Sequence, residues 1–443
     1  MKEIQLSEHF SYRKLLRFTL PSIVMMVFSS MYSVVDGIFV SNFVGKTPFA
    51  AINLIMPFLM MFAALGFMFG TGGSALVAKT LGEGNRGKAN GIFSMLVYIL
   101  IAAGMFLSFV GTIYIRDIAL WLGADENMIE DCVAYALILL PVLPAFILQN
   151  AFQAFLVTAE RPNMGLAITV AAGLTNIFLD FLFIAVFDWG LAGAAWATAI
   201  SQSIGGIVPL VYFALPNKSP LRLTKYRFDG KALFKVCTNG FSELLTNISM
   251  SVVTMLYNFQ LMKYIGENGV AAFGVIMYVN FIFLSVYLGY SIGSAPIVSY
   301  NYGAQNHYEL KNMLRKSLTI IAVLGFVLTG MAECLAPLLA DIFVGYDIEL
   351  YALTRQAFML YSLSFLIAGF NIYASAFFTA LNNGFVSAGI SFSRTLIFET
   401  SAVLLLPLLF GINGIWLSIV VAEMAALTVS IILLLTYRKR YCY

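Results

Sequence analysis

Charge is what this sequence has least of, and the residues that build metal sites and disulfides are scarce as well. Only 11% of its 443 residues are charged, whereas soluble domains average roughly 25%. The four cysteines show neither a disulfide framework nor a CxxC motif, and His9 and His307 lie far apart in hydrophilic segments. The composition therefore excludes an ordinary soluble protein and gives no support to a disulfide framework or a zinc site.

What the sequence has instead is a series of long apolar runs. Hydrophobic residue types make up 60% of the chain, and the mean hydropathy is +0.89. Each run has about 20–28 residues, the length that crosses a bilayer as a helix. The first run continues without an AxA-type cleavage site, so we expect it to be retained. We predict an all-α integral membrane protein with twelve transmembrane helices. They cover residues 15–40, 48–78, 90–115, 131–157, 163–187, 190–214, 233–262, 269–298, 312–343, 351–377, 384–410 and 413–437.

Lysine and arginine are distributed unevenly between the two sets of connecting segments. The set that contains both termini and the basic segment 218–235 holds 20 of the 25 basic residues. Basic residues are retained on the cytoplasmic side of a membrane. We therefore predict a multi-pass protein of the cell membrane with both termini in the cytoplasm.

The chain repeats itself at an interval of 220–221 residues. Matching elements are Gly73-Ser74-Ala75 with Gly293-Ser294-Ala295, Gly82 and Asn85 with Gly303 and Asn306, and Gly190 and Gly193 with Gly411 and Gly414. Six helices per half is an even number, so both halves cross the membrane in the same sense, around a cavity between them. We predict an N-terminal lobe over residues 1–214, a cytoplasmic linker over 215–232 and a C-terminal lobe over 233–443. The alternative is that the duplication only builds a stable bundle.

Ionisable residues inside a membrane span are costly, so each is a functional candidate. Asp36 lies near the outer end of the first predicted helix, and Asp180 lies in the outer half of the fifth, with Asn176 one turn below it. Thr198 of the sixth helix reaches a similar depth at about 1.5 Å per residue. These oxygen donors suit Na⁺, and the buried carboxyl groups also suit a proton. We predict a cation site here. Helix capping or pairing with a base is the alternative, although no lysine or arginine lies at that depth in the first half.

The second half carries a different set of ionisable residues. Glu243 and Arg394 each lie about ten residues from the cytoplasmic end of a predicted helix, so we predict that they form a buried ion pair. Glu399 and Glu423 lie on the eleventh and twelfth helices, where either is a candidate for a second protonation site or for attracting a cationic substrate. Structural and functional interpretations of these four residues remain equally open.

Other side chains are candidates to line a substrate cavity. Polar groups avoid lipid, and methionine and tyrosine repack around varied ligands. Packing against lipid or a neighbouring helix is the alternative for any single methionine or aromatic residue. The predicted lining comprises Tyr32, Asn150, Gln153, Glu243, Met277, Asn280, Asn371, Arg394 and Glu399.

Three segments, together with Pro21 in the first helix, carry a family resemblance that spans nearly the whole chain. The segments are Val35-Asp36-Gly37-Ile38-Phe39-Val40, Gly73-Ser74-Ala75 to Gly82-Glu83-Gly84-Asn85, and Thr175-Asn176-Ile177-Phe178-Leu179-Asp180. They resemble the MATE (multidrug and toxic compound extrusion) family, in particular its prokaryotic MepA-like and DinF-like members. The resemblance implies two pseudo-symmetric six-helix lobes around a central cavity. It also implies cation-coupled export of amphipathic, often cationic, compounds, with the cation bound by Asp36, Asn176, Asp180 and Thr198.

These features lead us to expect a secondary active transporter rather than an enzyme, namely a Na⁺- or H⁺-coupled antiporter that works by alternating access. A lipid-linked precursor flippase is the alternative, but it needs a strongly basic cavity, and Arg394 is the only base in the middle of a span. A lipid-modifying enzyme needs a metal motif or a nucleophile–histidine pair, and no predicted span contains histidine. We expect no cofactor besides the coupling ion, no nucleotide or nucleic-acid partner, and a monomer in contact with its substrate and the bilayer.

Overall fold

The computed structural model describes residues 4–44, 46–124, 126, 128–345 and 347–443, and within them the chain is helical without any strand. Twelve helical segments follow one another in this part of the chain, which confirms the predicted fold class. Their bounds are α1 (Tyr12–Phe43), α2 (Lys46–Gly82), α3 (Arg86–Trp121), α4 (Ile129–Thr158), α5 (Pro162–Val186), α6 (Gly190–Ala214), α7 (Gly230–Tyr264), α8 (Glu267–Gly303), α9 (His307–Val344), α10 (348–380), α11 (384–410) and α12 (412–441).

Four helices are irregular inside the predicted spans. α4 passes through a 3₁₀ turn at Leu140–Val142, where Pro141 lacks the N–H that a continuous α-helix uses. α10 bends by 46° between Ile348–Ser362 and Phe365–Ala380. α5 ends in a π-helical segment, Phe181–Val186, and α11 contains another, Ser393–Glu399. Segments of this kind often occur at functional sites, and each of these two adjoins or contains a membrane-buried acid.

Most of the helices are long and apolar enough to cross a bilayer. Nine helices of the described residues pass this test, and the bent α10 makes a tenth. One of the nine runs from Gly384 to Tyr441, and the non-helical backbone of Gly411 (φ 58°, ψ −136°) divides it into α11 and α12. α7 falls outside the set because polar residues, Asn239 and Glu243 among them, interrupt its apolar sequence.

The sequence duplication recurs in the backbone. Glu160 and Asn382, in the turns that follow α4 and α10, both have positive φ, at 61° and 59°. Asn85 and Asn306 cap α3 and α9 in the same way, each accepting a hydrogen bond from the backbone N–H three residues later. Further pairs with positive φ are Gly84 with Gln305 and Gly190 with Gly411. Positive φ is uncommon outside glycine, so its recurrence at intervals of 221–222 residues indicates that both halves follow the same path.

The two halves meet through paired glycines. A Cβ at Gly82 of α2 would collide with the carbonyl oxygen of Tyr300 in α8, and a Cβ at Gly303 of α8 would collide with the carbonyl oxygen of Lys79 in α2. The repeat relates one contact to the other, because Gly82 corresponds to Gly303 and Lys79 corresponds to Tyr300. Two further contacts are related in the same way, Gly72 of α2 against Gly240 of α7 and Gly293 of α8 against Thr19 of α1. Backbone-to-backbone packing therefore joins α2 to α7 and α8, and α1 to α8.

Each half has its own hydrophobic core, one chiefly from residues 52–236 and one chiefly from residues 253–443. The non-helical connection 215–229 lies on α3, where Arg86 donates to the Ser219 carbonyl at 2.7 Å. The lobe boundaries set by the predicted linker stay a prediction. We use the name basic face for the side of the molecule that carries this connection, both chain ends and the connections 83–85, 159–161, 304–306 and 381–383, because most lysines and arginines lie there.

Candidate cation site

Two membrane-buried aspartates meet between α1 and α5. Asp180 is fully buried and is the last residue before the π-helical segment of α5. Asp36 lies on α1, and its carboxyl group is within electrostatic reach of that of Asp180. Among the described residues, no lysine or arginine acts on either group. Two neighbouring acids without a base favour a bound cation or a shared proton.

Side chains of two further helices complete the surroundings of the acid pair. Thr198 of α6 lies against Tyr135 of α4, which is within electrostatic reach of both carboxyl groups. Tyr32, one turn before Asp36 on α1, interacts with Asp36 and with Gln149 of α4. Four helices of the first half, α1, α4, α5 and α6, therefore converge on this site.

Four oxygen atoms of this site lack hydrogen-bonding partners. Both carboxylate oxygens of Asp180, Oδ1 of Asp36 and Oγ1 of Thr198 are buried without one, which is rare for buried polar atoms. Asn176 is buried one turn before Asp180 on the same helix. No three His, Cys, Asp or Glu side chains gather in the described ranges. A metal ion would therefore need the neutral oxygens of Asn176 and Thr198 in addition to the two carboxylates.

Two glutamines of α4 line a small cavity elsewhere in the same half. The cavity has a volume of about 10 Å³, comparable to one water molecule, and Gln149 and Gln153 both face it. Oε1 of each glutamine is buried without a hydrogen-bond donor. Asn150, which was also predicted to line a cavity, donates instead to the Phe146 carbonyl of its own helix at 3.1 Å.

The sequence did not indicate Tyr135 as part of the site. Tyrosine occurs 22 times in this chain, and nothing in the spacing around Tyr135 distinguishes it from a tyrosine that packs against lipid. Only the crossing of α4 with α6 brings its hydroxyl to Thr198. The aspartates could be found because charge within an apolar run is itself a signal.

The second half contains a closed ion pair at its centre. Nε and Nη2 of Arg394 on α11 donate to Oε1 of Glu423 on α12 at 2.8 and 2.6 Å. Asn371 of α10 donates to Oε2 of Glu423 at 2.7 Å and accepts a hydrogen bond from Ser430 at 2.9 Å. The Asn371 amide is thereby committed to this network rather than to a substrate cavity.

The predicted pairing of Arg394 with Glu243 was wrong. Arg394 is bound to Glu423, and Glu243 takes part in no ion pair of the described residues. α12 packs directly on the part of α11 that carries Arg394. Equal depth along two helices does not show which faces are turned toward each other, and this is why the prediction failed.

The remaining predicted cavity residues are dispersed through the second half. Glu399 lies in the π-helical segment of α11, within electrostatic reach of Tyr257 and Tyr361. Met277 packs against the hydrophobic core of this half, and Asn280 is buried on the same helix, α8. No hydrogen bond or ion pair of the described residues joins Glu243, Glu399, Met277 and Asn280 into one group.

A larger cavity, of about 540 Å³, lies at the basic face rather than at the acid pair. It is lined by the turn after α4, the start of α5 and the end of α6, and its charged residues are Glu160, Arg161 and Lys218. Its position at helix ends separates it from the polar residues buried within the spans.

Family and sequence comparisons agree over most of the chain. The MatE family model matches residues 21–182 and 244–402. The multidrug export protein MepA of Staphylococcus haemolyticus (strain JCSC1435) is 23% identical over 445 residues, covering 99% of this chain and 97% of the relative. The protein of the same name from Staphylococcus aureus (strain NCTC 8325 / PS 47) is 23% identical over 443 residues, covering 97% and 94%.

Solved structures share the fold at full length. A crystal structure of MATE in the straight conformation has a TM-score of 0.92 at 22% identity, covering 100% of this chain and 98% of that chain. MATE in the bent conformation has a TM-score of 0.88 at 21% identity and covers 98% of both chains. A MOP superfamily transporter from Pyrococcus furiosus, described as having a binding pocket of reverse polarity, has a TM-score of 0.90 at 22% identity, with coverages of 100% and 98%.

Proposed function

The chain belongs to the MatE family of transporters, and on that premise we propose that it is a Na⁺- or H⁺-coupled antiporter that exports amphipathic, often cationic, drugs or toxic compounds. Relatives that match it over nearly their full length are multidrug export proteins, which supports small-molecule export. The acid pair of Asp36 and Asp180 is the observation that carries the coupling part of the proposal.

The acid pair has the chemistry that coupling requires. Two carboxylates buried side by side repel each other, and a single Na⁺ or proton relieves that repulsion. Because no base of the described residues neutralises the pair, the compensating charge has to come from a mobile cation. Thr198 and Asn176 offer the neutral oxygens that a Na⁺ would need, whereas a proton would need only the carboxylates.

α1 is the element that connects this site to the rest of the molecule. It packs against α5 of its own half and against α8 of the other half, and it contains Pro21. A proline inside a helix removes a backbone hydrogen bond and favours bending. A cation bound at Asp36 would shift or bend α1, displacing the compound outward, and the two lobes would then rock around the central cavity to reload from the inside.

We propose the cell membrane as the location, with the basic face toward the cytoplasm. The concentration of lysine and arginine at one face supports this orientation, because basic segments are retained on the cytoplasmic side. We propose a monomer that needs no cofactor beyond the coupling ion. Labelling of Cys442, which is exposed near the C-terminus, by a membrane-impermeant thiol reagent in sealed cells would contradict this orientation.

Ethidium efflux from cells expressing the protein tests the function. We expect Asp36→Asn and Asp180→Asn each to lower the efflux rate about tenfold or more, the loss typical of removing an essential charged group. Asp188→Asn is the matched control, since Asp188 lies beyond the π-helical end of α5 with φ at 53°, a conformation that asparagine tolerates. Dependence of wild-type efflux on Na⁺ would identify the coupling ion. Undiminished efflux in both acid-pair variants would refute coupling at this site.

The flippase alternative has less support from the charges of the second half. A phosphate-bearing lipid precursor needs free basic groups, but Arg394 is bound to Glu423 through Nε and Nη2. Absence of efflux from well-expressed wild-type protein, together with translocation of a lipid-linked precursor in proteoliposomes, would replace the antiporter proposal with this one.

A further inference from the structure

The N-terminal segment that precedes α1 is built into the protein rather than lying on its surface. Leu6 and Phe10 are 1% and 0% exposed. The Phe10 ring packs edge-on against Phe18 of α1 at 5.9 Å and belongs to the hydrophobic core of the second half. A short polar segment at a chain end is usually poorly ordered unless contacts hold it in place, and contacts to both halves hold this one.

One anchor of the segment lies in the first half. The backbone N–H of Leu6 donates to Oε1 of Glu160 at 2.8 Å. Glu160 is in the turn between α4 and α5, with φ at 61°. Burial raises the pKa of Glu160, whereas the Leu6 N–H acts in the opposite direction by stabilising the charged carboxylate.

The other anchor lies in the second half, at the start of α9. Glu309 is 2% exposed, and its Oε1 accepts the Phe10 N–H at 3.0 Å while its Oε2 lies 2.7 Å from Nδ1 of His9. Asn312 donates to Oε1 of Glu309 at 2.8 Å and to the Phe10 carbonyl at 3.1 Å. Lys316 also donates to that carbonyl. These contacts fix the backbone on both sides of Phe10.

We propose that residues 4–10 form a clasp that locks the two halves together at the basic face and that has to release before this face can open. Glu160 and Glu309 belong to different halves, and only three residues separate the two backbone N–H groups that they hold. If the halves move apart at this face, one of the two anchors has to lose its donors. The opening itself rests on the alternating access of the proposed function.

A second hydrogen bond joins the two halves at the basic face, and it comes from the equivalent turn of the second half. Asn382, which has the same place and a similar φ in the turn after α10 as Glu160 has in the turn after α4, accepts a hydrogen bond from Asn239 at 2.8 Å and donates to the Ala75 carbonyl of α2 at 3.3 Å. Equivalent turns of the two halves therefore each supply a side chain that holds the basic face closed. Asn382 contacts a helix of the other half directly, at Ala75 of α2. Glu160 instead binds the N-terminal segment, which in turn is held by Glu309 of the other half.

Hydrogen–deuterium exchange of the full-length protein in nanodiscs, without substrate, tests the clasp. We expect Glu160→Ala and Glu309→Ala each to raise amide exchange about threefold or more in the stretches 75–84, 236–243 and 299–306, where the halves touch. Glu83→Ala is the matched control, because Glu83 is an exposed acid of the same face whose ion pair, among the described residues, is with Lys79 of its own half. An increase confined to residues 4–16, or no increase in either variant, would overturn the proposal.

A deletion and a native cysteine give a second measurement that does not depend on the anchor variants folding. Cys237 is half-buried on α7, next to the contact of α7 with Gly72 of α2. With Cys334 and Cys442 replaced by serine, we expect deletion of residues 2–10 to accelerate maleimide labelling of Cys237 several-fold. An unchanged labelling rate would overturn the clasp. Neither readout needs transport, so altered exchange without ethidium efflux would reject the proposed function and keep the clasp.

Discussion

The two halves share one backbone plan, but the first half contains a buried acid pair without a base and the second half contains a buried acid paired with an arginine. In the first half, Asp36 and Asp180 stand together without a base among the described residues, and several of their oxygens lack donors. In the second half, Glu423 is neutralised by Arg394 and accepts a further hydrogen bond from Asn371. A satisfied network is typical of a structural role, whereas an unsatisfied acid pair is typical of a site that exchanges a cation.

Positions that correspond in the repeat carry different residues in the two halves. At the interval of 221 residues, Tyr257 occupies the position of Asp36, and Arg394 occupies that of Gly173. Gly173 lies against Phe28 and Tyr32 of α1, so a long side chain has no space at this position in the first half. The second half therefore has a base where the first half has a glycine, and it has a tyrosine where the first half has Asp36.

The largest effect on stability is expected from breaking the closed pair. Glu423→Ala leaves the Arg394 guanidinium buried without its partner, and we expect the free energy of unfolding to fall by about 3–5 kcal/mol. The double variant Arg394→Met with Glu423→Met should lose far less, because no charge is left unpaired. Thermal unfolding in detergent measures both. Equal losses in the single and double variants would show that the pair is not what stabilises this region.

A smaller and symmetric effect is expected at the glycine contacts between the halves. Gly82→Ala and Gly303→Ala each place a Cβ against a carbonyl oxygen of the opposite helix, and we expect each to cost about 1–3 kcal/mol. Gly91→Ala is the control, because nothing lies within 4 Å of a Cβ there and alanine favours the helix. Clearly unequal losses at the two positions, measured by thermal unfolding, would contradict the equivalence of the two contacts.

The smallest effect on stability is expected at the acid pair. Asp180→Asn removes a charge that has no donor or base to lose, so the free energy of unfolding should change by less than about 1 kcal/mol or rise slightly. The same variant is expected to lower the efflux rate about tenfold or more, so its effect on function should be large while its effect on stability is small. A loss as large as that of Glu423→Ala would show that Asp180 has a structural partner.

The spans were predictable from apolar run length, but their ends and irregularities were less so. α6 begins and ends where the sequence predicted, at Gly190 and Ala214. α9 begins five residues earlier than predicted, at His307, because Asn306 caps it and helical structure does not stop where hydropathy falls. The bend of α10 and the π-helical segments depend on how neighbouring helices pack, and the composition gives no sign of them.

Some of the functional polar residues could also be predicted from the sequence, whereas their partners could not. Asp36 and Asp180 could be found in the sequence because ionisable residues within apolar runs are rare and costly. The partner of Arg394 could not, because depth along the spans predicted Glu243 and does not show which faces of two helices meet. The rotation of α11 and α12 about their axes brings Glu423 to Arg394. A single sequence specifies this rotation weakly when every face of a helix is apolar.

The twelve-helix membrane fold, the duplication and the identity of the buried acids all follow from the amino-acid sequence. Length, hydropathy and internal repetition are local properties of a chain, and the bilayer leaves few ways to satisfy them. Three contacts depend on how the helices pack: Tyr135 lies beside the acid pair, Glu423 binds Arg394, and the N-terminal segment bridges Glu160 and Glu309. Those contacts join residues from about 30 to 300 positions apart, and the rotation and crossing of packed helices set them.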